Sequence, residues 1–133
     1  MTIVDSSVLL DVFGDDPDWV DWAISALNER RTEGDILINE VIYAEVSISY
    51  DNIERFELVL KSTGLRLSRA PREALFLAGK AYLAYRNRGG LRRSLLPDFI
   101  IGAHAAVAKV PLLTRDTSRI STYFPTVEIL APS

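Results

Sequence analysis

Four acidic residues set the chemical problem of this sequence. Asp5 closes the short apolar run Ile3-Val4, and Glu45 sits among Val41, Ile42 and Ile48. Asp98 follows Pro97 at the head of the apolar stretch from Phe99 to Ala108, and Asp116 closes Leu112-Leu113-Thr114-Arg115. Four carboxylates packed about 5 Å apart would repel by about 3 kcal/mol per pair at an effective dielectric of 20. Helix N-termini return only about 0.3 to 1 kcal/mol each, too little to hold such a cluster ionised. Either some of the acids protonate or a cation sits among them. Oxygen-only ligands favour Mg²⁺ or Mn²⁺ over zinc, and the sequence has no cysteine to compete. Such a site suits metal-assisted attack of water on a phosphodiester.

The elements that would bring these acids together are legible in outline. Proline suits the first turn of a helix and aspartate its positive end, so a helix over about 97–108 starts with Asp98 in its first turn. That helix is roughly 17 Å long at 1.5 Å per residue, and the extended return from Val110 to Asp116 covers roughly 20 Å. Out and back nearly cancel, placing Asp98 and Asp116 at one edge.

Upstream, Ile3-Val4 reads as a buried strand ending at Asp5, with Ser6-Ser7 offering N-caps for a helical turn through Phe13. Asp16-Pro17 restarts a helix with Asp16 as its cap, and Gly34 closes it. Asp35 to Ile38 is a second strand, and Asn39 caps a helix that carries Glu45 about a turn and a half from the same edge. A helix over 53–62, a weak strand Leu65-Arg66-Leu67, and a long helix opened by Pro71 and running to about Asn87 follow. Thr117 to Phe124 reads as turn-like, and Val127 to Leu130 as a last strand. Strands alternating with helices predict an α/β fold, a central parallel sheet of about four or five strands with helices on both faces. In such sheets ligands bind beyond the carboxyl ends of the strands, near a switch in strand order. Asp5, Asp98 and Asp116 fall on that side, and Glu45 joins them.

Each acid also has a plainer reading: a strand-end cap for Asp5, a border residue reaching water for Glu45, a helix-dipole partner for Asp98, a turn residue for Asp116. Their convergence is what favours a shared site. Ser6 and Thr114 read as caps or strand-end hydroxyls placed to orient an acid or a bound water. Asp11, Asp15 and Asp16 read as helix-surface and capping residues. His104, amid apolar neighbours, reads as a hydrogen-bonded packing residue rather than a ligand or base. Arg86, Arg88, Arg92 and Arg93 form either a solvated basic loop or a contact surface for a phosphate backbone, without interleaved aromatics for base stacking.

Composition bounds the rest. With 133 residues and 48% hydrophobic content the chain is sized for one folded domain. Its net charge of −3, from 15 basic and 18 acidic residues, argues against long-range attraction of nucleic acid by the whole molecule. The N-terminal residues lack a signal-peptide pattern, and the longest apolar run is far short of the roughly 20 residues that span a bilayer. A soluble, cytoplasmic protein with no membrane association is the expectation.

The motifs Ile3-Val4-Asp5-Ser6-Ser7-Val8-Leu9, Asn39-Glu40-Val41-Ile42-Tyr43-Ala44-Glu45, Pro97-Asp98-Phe99-Ile100-Ile101-Gly102-Ala103-His104-Ala105 and Leu112-Leu113-Thr114-Arg115-Asp116, with Tyr123-Phe124-Pro125, occur in that order. In this arrangement the chain resembles the PIN-domain endoribonucleases, and within them the VapC-type toxins of type II toxin–antitoxin pairs. The resemblance runs over nearly the whole chain, so that residues 1–133 form one PIN-like domain. It implies an Mg²⁺- or Mn²⁺-dependent ribonuclease with Asp5, Glu45, Asp98 and Asp116 as its acidic site. Asp5 and Asp98 would be the firmest metal ligands, Glu45 and Asp116 would complete the site directly or through water, and Thr114 with Ser6 or Ser7 would support it. It further implies an RNA substrate, a homodimer and a small antitoxin partner. Ser7 departs from the pattern, since many relatives carry asparagine there.

Readings from other classes fare less well. A phosphoacceptor signalling domain needs an aspartate ending strand three and a lysine ending strand five, where this chain has Leu67-Ser68 and Leu130-Ala131. A phosphatase with an aspartate nucleophile usually shows a second acid two residues on, where Ser7 stands. A catalytically silent PIN-like domain that only binds RNA or protein keeps the fold and loses the turnover.

Overall fold

A computed structural model describes residues 1–90 and 95–133 of the chain. Its centre is a five-stranded sheet in the order β3-β2-β1-β4-β5, with every neighbouring pair parallel. The strands are β1 (Thr2–Val4), β2 (Ile36–Ile38), β3 (Leu65–Leu67), β4 (Leu112–Leu113) and β5 (Ile129–Leu130). Every residue of β1, β2 and β4 is buried. Successive strand residues point to opposite faces, so this burial means that both faces of the sheet centre are covered. β3 at one edge keeps only Leu65 buried, and β5 at the other is half-buried.

Seven helices are seen among the described residues: α1 (Ser6–Phe13), α2 (Val20–Arg31), α3 (Glu40–Ser47), α4 (Ile53–Thr63), α5 (Arg72–Asn87), α6 (Leu96–Ala108) and α7 (Ser118–Tyr123). α6 is the apolar centrepiece, with Phe99, Ile101, Gly102, Ala103, His104 and Ala105 all buried. α5 packs along it. Aromatic rings join α6 to α5 and to the end of α7: the Phe99 ring lies 5.8 Å from Tyr82 and 5.6 Å from Tyr85 on α5, and 5.3 Å from Tyr123 and 6.0 Å from Phe124, centroid to centroid. Each such pair contributes about 0.5–1.5 kcal/mol beyond area burial. The cluster therefore anchors the first turn of α6, where Asp98 sits beside Phe99.

The strand order places the switch point between β1 and β4, since the chain builds outward through β2 and β3 on one side and through β5 on the other. Backbone pairing runs one residue past each strand: Asp5 N–H donates to Leu113 O at 2.8 Å, and Thr114 N–H donates to Leu130 O at 3.0 Å. The carboxyl ends of β1 and β4 are thereby held side by side.

Four local expectations differ from the structure. The residue in the N-cap position of α1 is Asp5, with Ser6 already helical. α2 begins at Val20 rather than at Pro17, although Asp16 does cap the turn before it, accepting from Asp18 N–H at 2.9 Å and Trp19 N–H at 3.1 Å. The extended return over 110–116 narrows to β4, Leu112–Leu113, because only those residues have a strand on both sides. The turn-like reading of 117–124 gives way to helix α7, whose single buried residue, Ile120, docks it on the core. The arginines Arg92 and Arg93 lie outside the described residues.

Candidate active site

Asp5 occupies the junction of β1 and α1 with extended backbone angles, yet its side chain makes no capping bond to its own helix. Its carboxylate instead accepts hydroxyl hydrogens from Thr114 at 2.8 Å and Ser7 at 3.0 Å on Oδ2, with Ser6 at 3.4 Å from Oδ1. The strand-end cap reading is thus replaced by a carboxylate turned toward the β4 edge and fixed by neutral donors. The Ser6 hydroxyl stands closer to Glu45, at 2.9 Å from Oε1. One serine therefore links the acid after β1 to the acid on α3.

Glu45 reaches this position because α3 starts where the sequence says it should: Asn39 Oδ1 accepts the Ile42 N–H at 3.0 Å. Burial pushes the Glu45 carboxyl above the usual carboxylate range. The Ser6 hydrogen bond offsets part of that, and the charges of Asp5 and Asp98 raise it further. The charges of Asp5 and Asp98 thus reach Glu45, although burial is the larger cause of its shift.

Asp98 stands in the first turn of α6. A pocket beyond the β1 and β4 ends is lined by Asp5, Asp98, Ile101, Leu112, Thr114, Asp116 and Ile120. Thr114, fully buried, joins two of these acids. Its Oγ1 donates to Asp5 and accepts from Asp116 N–H at 3.0 Å. The Asp116 carboxylate then turns to Arg119 on α7, 2.8 Å away. Gly102 makes this possible. It lies one turn beyond Asp98 on the same face of α6, and a Cβ there would come within 2.6 Å of the Phe124 ring. α7 and Phe124 approach α6 closely because that residue is glycine, and Arg119 thereby joins Asp98, Phe99, Ile120 and Phe124 around a second small pocket.

A further pair braces the β4 end. Asp11, expected on the helix surface, is 3% exposed. Arg115 NH2 donates to its Oδ1 at 3.1 Å, and Nε lies 2.7 Å from Oδ2 but off the N–H direction, a charge contact rather than an aligned hydrogen bond. The Arg115 guanidinium also covers Trp19, 4.9 Å from the ring centroid. Arg115 and Arg119 were not singled out from sequence. The pairing of Arg119 with Asp116 three residues earlier is a local signal, but only a helix after Thr117 makes it one. His104 is buried and packs as expected, its Nδ1 3.2 Å from Asn39 Nδ2, with burial holding the imidazole below its usual value and Glu40 opposing this. Arg86 and Arg88 are exposed, and Arg88 lies over the Tyr123 ring at 5.5 Å.

The donor set fits a hard divalent cation. Among the described residues no three acidic or histidine side chains already stand close enough to cage an ion. A closed cage is not what Mg²⁺ needs, since it keeps several waters and takes only one or two carboxylates. Asp5, Asp98, Asp116 and Thr114, oxygen donors that line one pocket, match that requirement.

A parallel sheet with carboxylates gathered at its switch point is a recognisable class of small α/β protein. The chain belongs to the PIN domain family, which it matches over residues 2–124. Its fold is shared with a chain of VapBC2 from Rickettsia felis bound to a DNA fragment from their promoter, at a TM-score of 0.74 and 16% identity, covering 99% of this chain and 98% of that one. DNA-bound VapBC from Salmonella typhimurium gives 0.71 and 15%, with 98% and 96% covered. A toxin–antitoxin complex from Klebsiella pneumoniae gives 0.64 and 22%, with 100% and 98% covered. No curated protein sequence matches the chain significantly. No helix among the described residues is long and apolar enough to cross a membrane.

Proposed function

We propose that this protein is a divalent-metal-dependent endoribonuclease acting as the toxin of a type II toxin–antitoxin pair in the cytoplasm, its whole length forming one domain. The observation that carries the reading is the pocket at the sheet switch point where Asp5, Asp98 and Asp116 meet Thr114, with Glu45 feeling the charge of two of them. Asp5 and Asp98 would hold Mg²⁺ or Mn²⁺, and Glu45 and Asp116 would complete its surroundings directly or through water. Held there, such a cation would lower the pKa of a water and stabilise charge developing on the scissile phosphate. Ser7 and Thr114 hold the Asp5 carboxylate in one orientation, and Ser6 holds Glu45. Exposed Arg86 and Arg88 are available to an RNA backbone, and Arg92 and Arg93 belong to the same basic stretch in sequence. The toxin role and an antitoxin partner are supported by the likeness to the Klebsiella pneumoniae toxin–antitoxin complex and to the VapBC structures. A homodimer is supported by the apolar Leu75, Phe76 and Leu83, which α5 leaves exposed.

The test is cleavage of a structured RNA pool with Mg²⁺, with EDTA, and by Asp5→Asn and Asp98→Asn. Loss of an outer partner of a metal ligand typically costs about 10- to 100-fold, so each ligand substitution is expected to lower the rate by more than roughly 100-fold. Activity surviving chelation and both substitutions would sink the mechanism. No activity under any condition would favour a domain that only binds RNA or protein.

A further inference from the structure

Arg119 stands apart from the rest of the acidic edge because it is a cation already in place. It is paired to Asp116 at 2.8 Å, and the pair is partly open to solvent, 26% exposed on the arginine side and 40% on the aspartate side. Its Nε is buried and has no hydrogen-bond partner among the described residues. A buried donor left unspent in this way calls for an acceptor. Arg119 also lines a small pocket with Asp98 and Ile120, two residues that line the acidic pocket as well.

We propose that Arg119 is a built-in counter-ion of Asp116 that competes with the divalent cation for that carboxylate and, once displaced, takes an oxygen of the RNA phosphodiester. This rests on the metal-dependent reading above and adds to it a residue that links occupancy of the acids to seating of the substrate. Guanidinium suits both tasks, since its fork matches carboxylate and phosphate alike. In the ion-free protein the Asp116 charge is spent internally. A dication near Asp5 and Asp98 offers Asp116 a stronger partner, and the released guanidinium, beside Asp98, is then free to meet an anionic ligand. The half-exposed pair is weak enough to exchange, whereas a fully buried one would not be.

The test uses the full chain and two readouts that do not require turnover. Mn²⁺ affinity, followed by electron paramagnetic resonance, is expected to rise about three- to fivefold in Arg119→Ala, the scale of a partly exposed ion pair. Arg119→Gln, which keeps the bulk of the side chain, should do the same, and neither change should matter in an Asp116→Asn background. Binding of a fluorescent single-stranded RNA oligonucleotide in EDTA is expected to tighten by a similar factor in Asp116→Asn, and only while Arg119 is present. Wild-type protein that binds Mn²⁺ with an affinity unchanged by both Arg119 substitutions overturns the proposal alone. So does RNA tightening that persists in the double variant, which would reduce the effect to loss of one negative charge. Absence of Mn²⁺ binding in every variant overturns the metal-dependent reading and this inference with it.

Discussion

The two halves of the acidic edge solve the same electrostatic problem differently. On the β1 side, Asp5 and Glu45 are held by the hydroxyls of Ser6, Ser7 and Thr114. On the β4 side, Asp116 is paired with Arg119 and Asp11 with Arg115. Hydroxyl groups orient a carboxylate without cancelling its charge, whereas guanidinium groups cancel it. The first half therefore keeps its charge uncancelled, and the second carries its own counter-ions. Thr114 is the joint, since its single side-chain oxygen serves Asp5 and the Asp116 backbone together.

The largest effect is expected where the arginine half is most buried. Arg115→Ala strands the Asp11 carboxylate, whose side chain is 4% exposed, whereas Asp11→Ala leaves an arginine that is 31% exposed and can reach water. Breaking a buried pair from the side that strands the buried charge costs about 3–5 kcal/mol. Urea denaturation should therefore show Arg115→Ala more destabilised than Asp11→Ala. Equal losses would mean that Asp11 escapes to solvent and that the brace does not hold the β4 end as described.

Thr114→Val comes next and strikes both halves at once. Valine keeps the volume but removes the donor to Asp5 and the acceptor for Asp116 N–H. Losing a hydrogen-bonding partner behind a metal ligand typically costs about 10- to 100-fold in affinity or activity. The measurement is the RNA cleavage rate alongside Mn²⁺ affinity. A fall in rate with Mn²⁺ affinity intact would place the threonine's contribution in seating the substrate rather than in holding the cation.

The same division explains what could be read ahead of the structure. β1, β2 and β3, the Asn39 cap and the opening of α6 at Pro97-Asp98 all rest on local signals: apolar runs, a capping side chain, a proline in a first turn. The acids were legible because each sits at a strand end, in a first turn, or on the apolar side of a helix. The arginine half was not. Asp11 meets Arg115 across 104 positions of sequence, and nothing in Leu9-Leu10-Asp11-Val12-Phe13 announces that partner. α7 has polar residues at most positions and is held in place by Ile120 and by the approach that Gly102 permits. Tertiary docking, not local propensity, makes it a helix, and with the helix unread Arg119 had no address.

The smallest expected effect isolates the hydroxyl half, through Glu45. Burial together with Asp5 and Asp98 raises its carboxyl above the ordinary value of 4.5, so the folded protein binds this proton more tightly than the unfolded chain does. Stability then falls as pH rises from about 4.5 through the raised value, because over that window the folded state holds more protons than the unfolded one. In ion-free protein, Glu45→Gln removes that penalty while leaving a side chain that can still meet Ser6. Its stability gain over wild type should be absent in acid, open through the window, and stay constant at higher pH. Added Mg²⁺ should close the gap from the wild-type side, since a cation among the acids rewards the charged form of Glu45 and gains less from glutamine. Denaturant melts of both proteins across pH, with EDTA and with Mg²⁺, measure each part. A gap that ignores pH would remove the charge argument for Glu45, and one that ignores Mg²⁺ would separate Glu45 from the cation site while leaving the Arg119 half untouched.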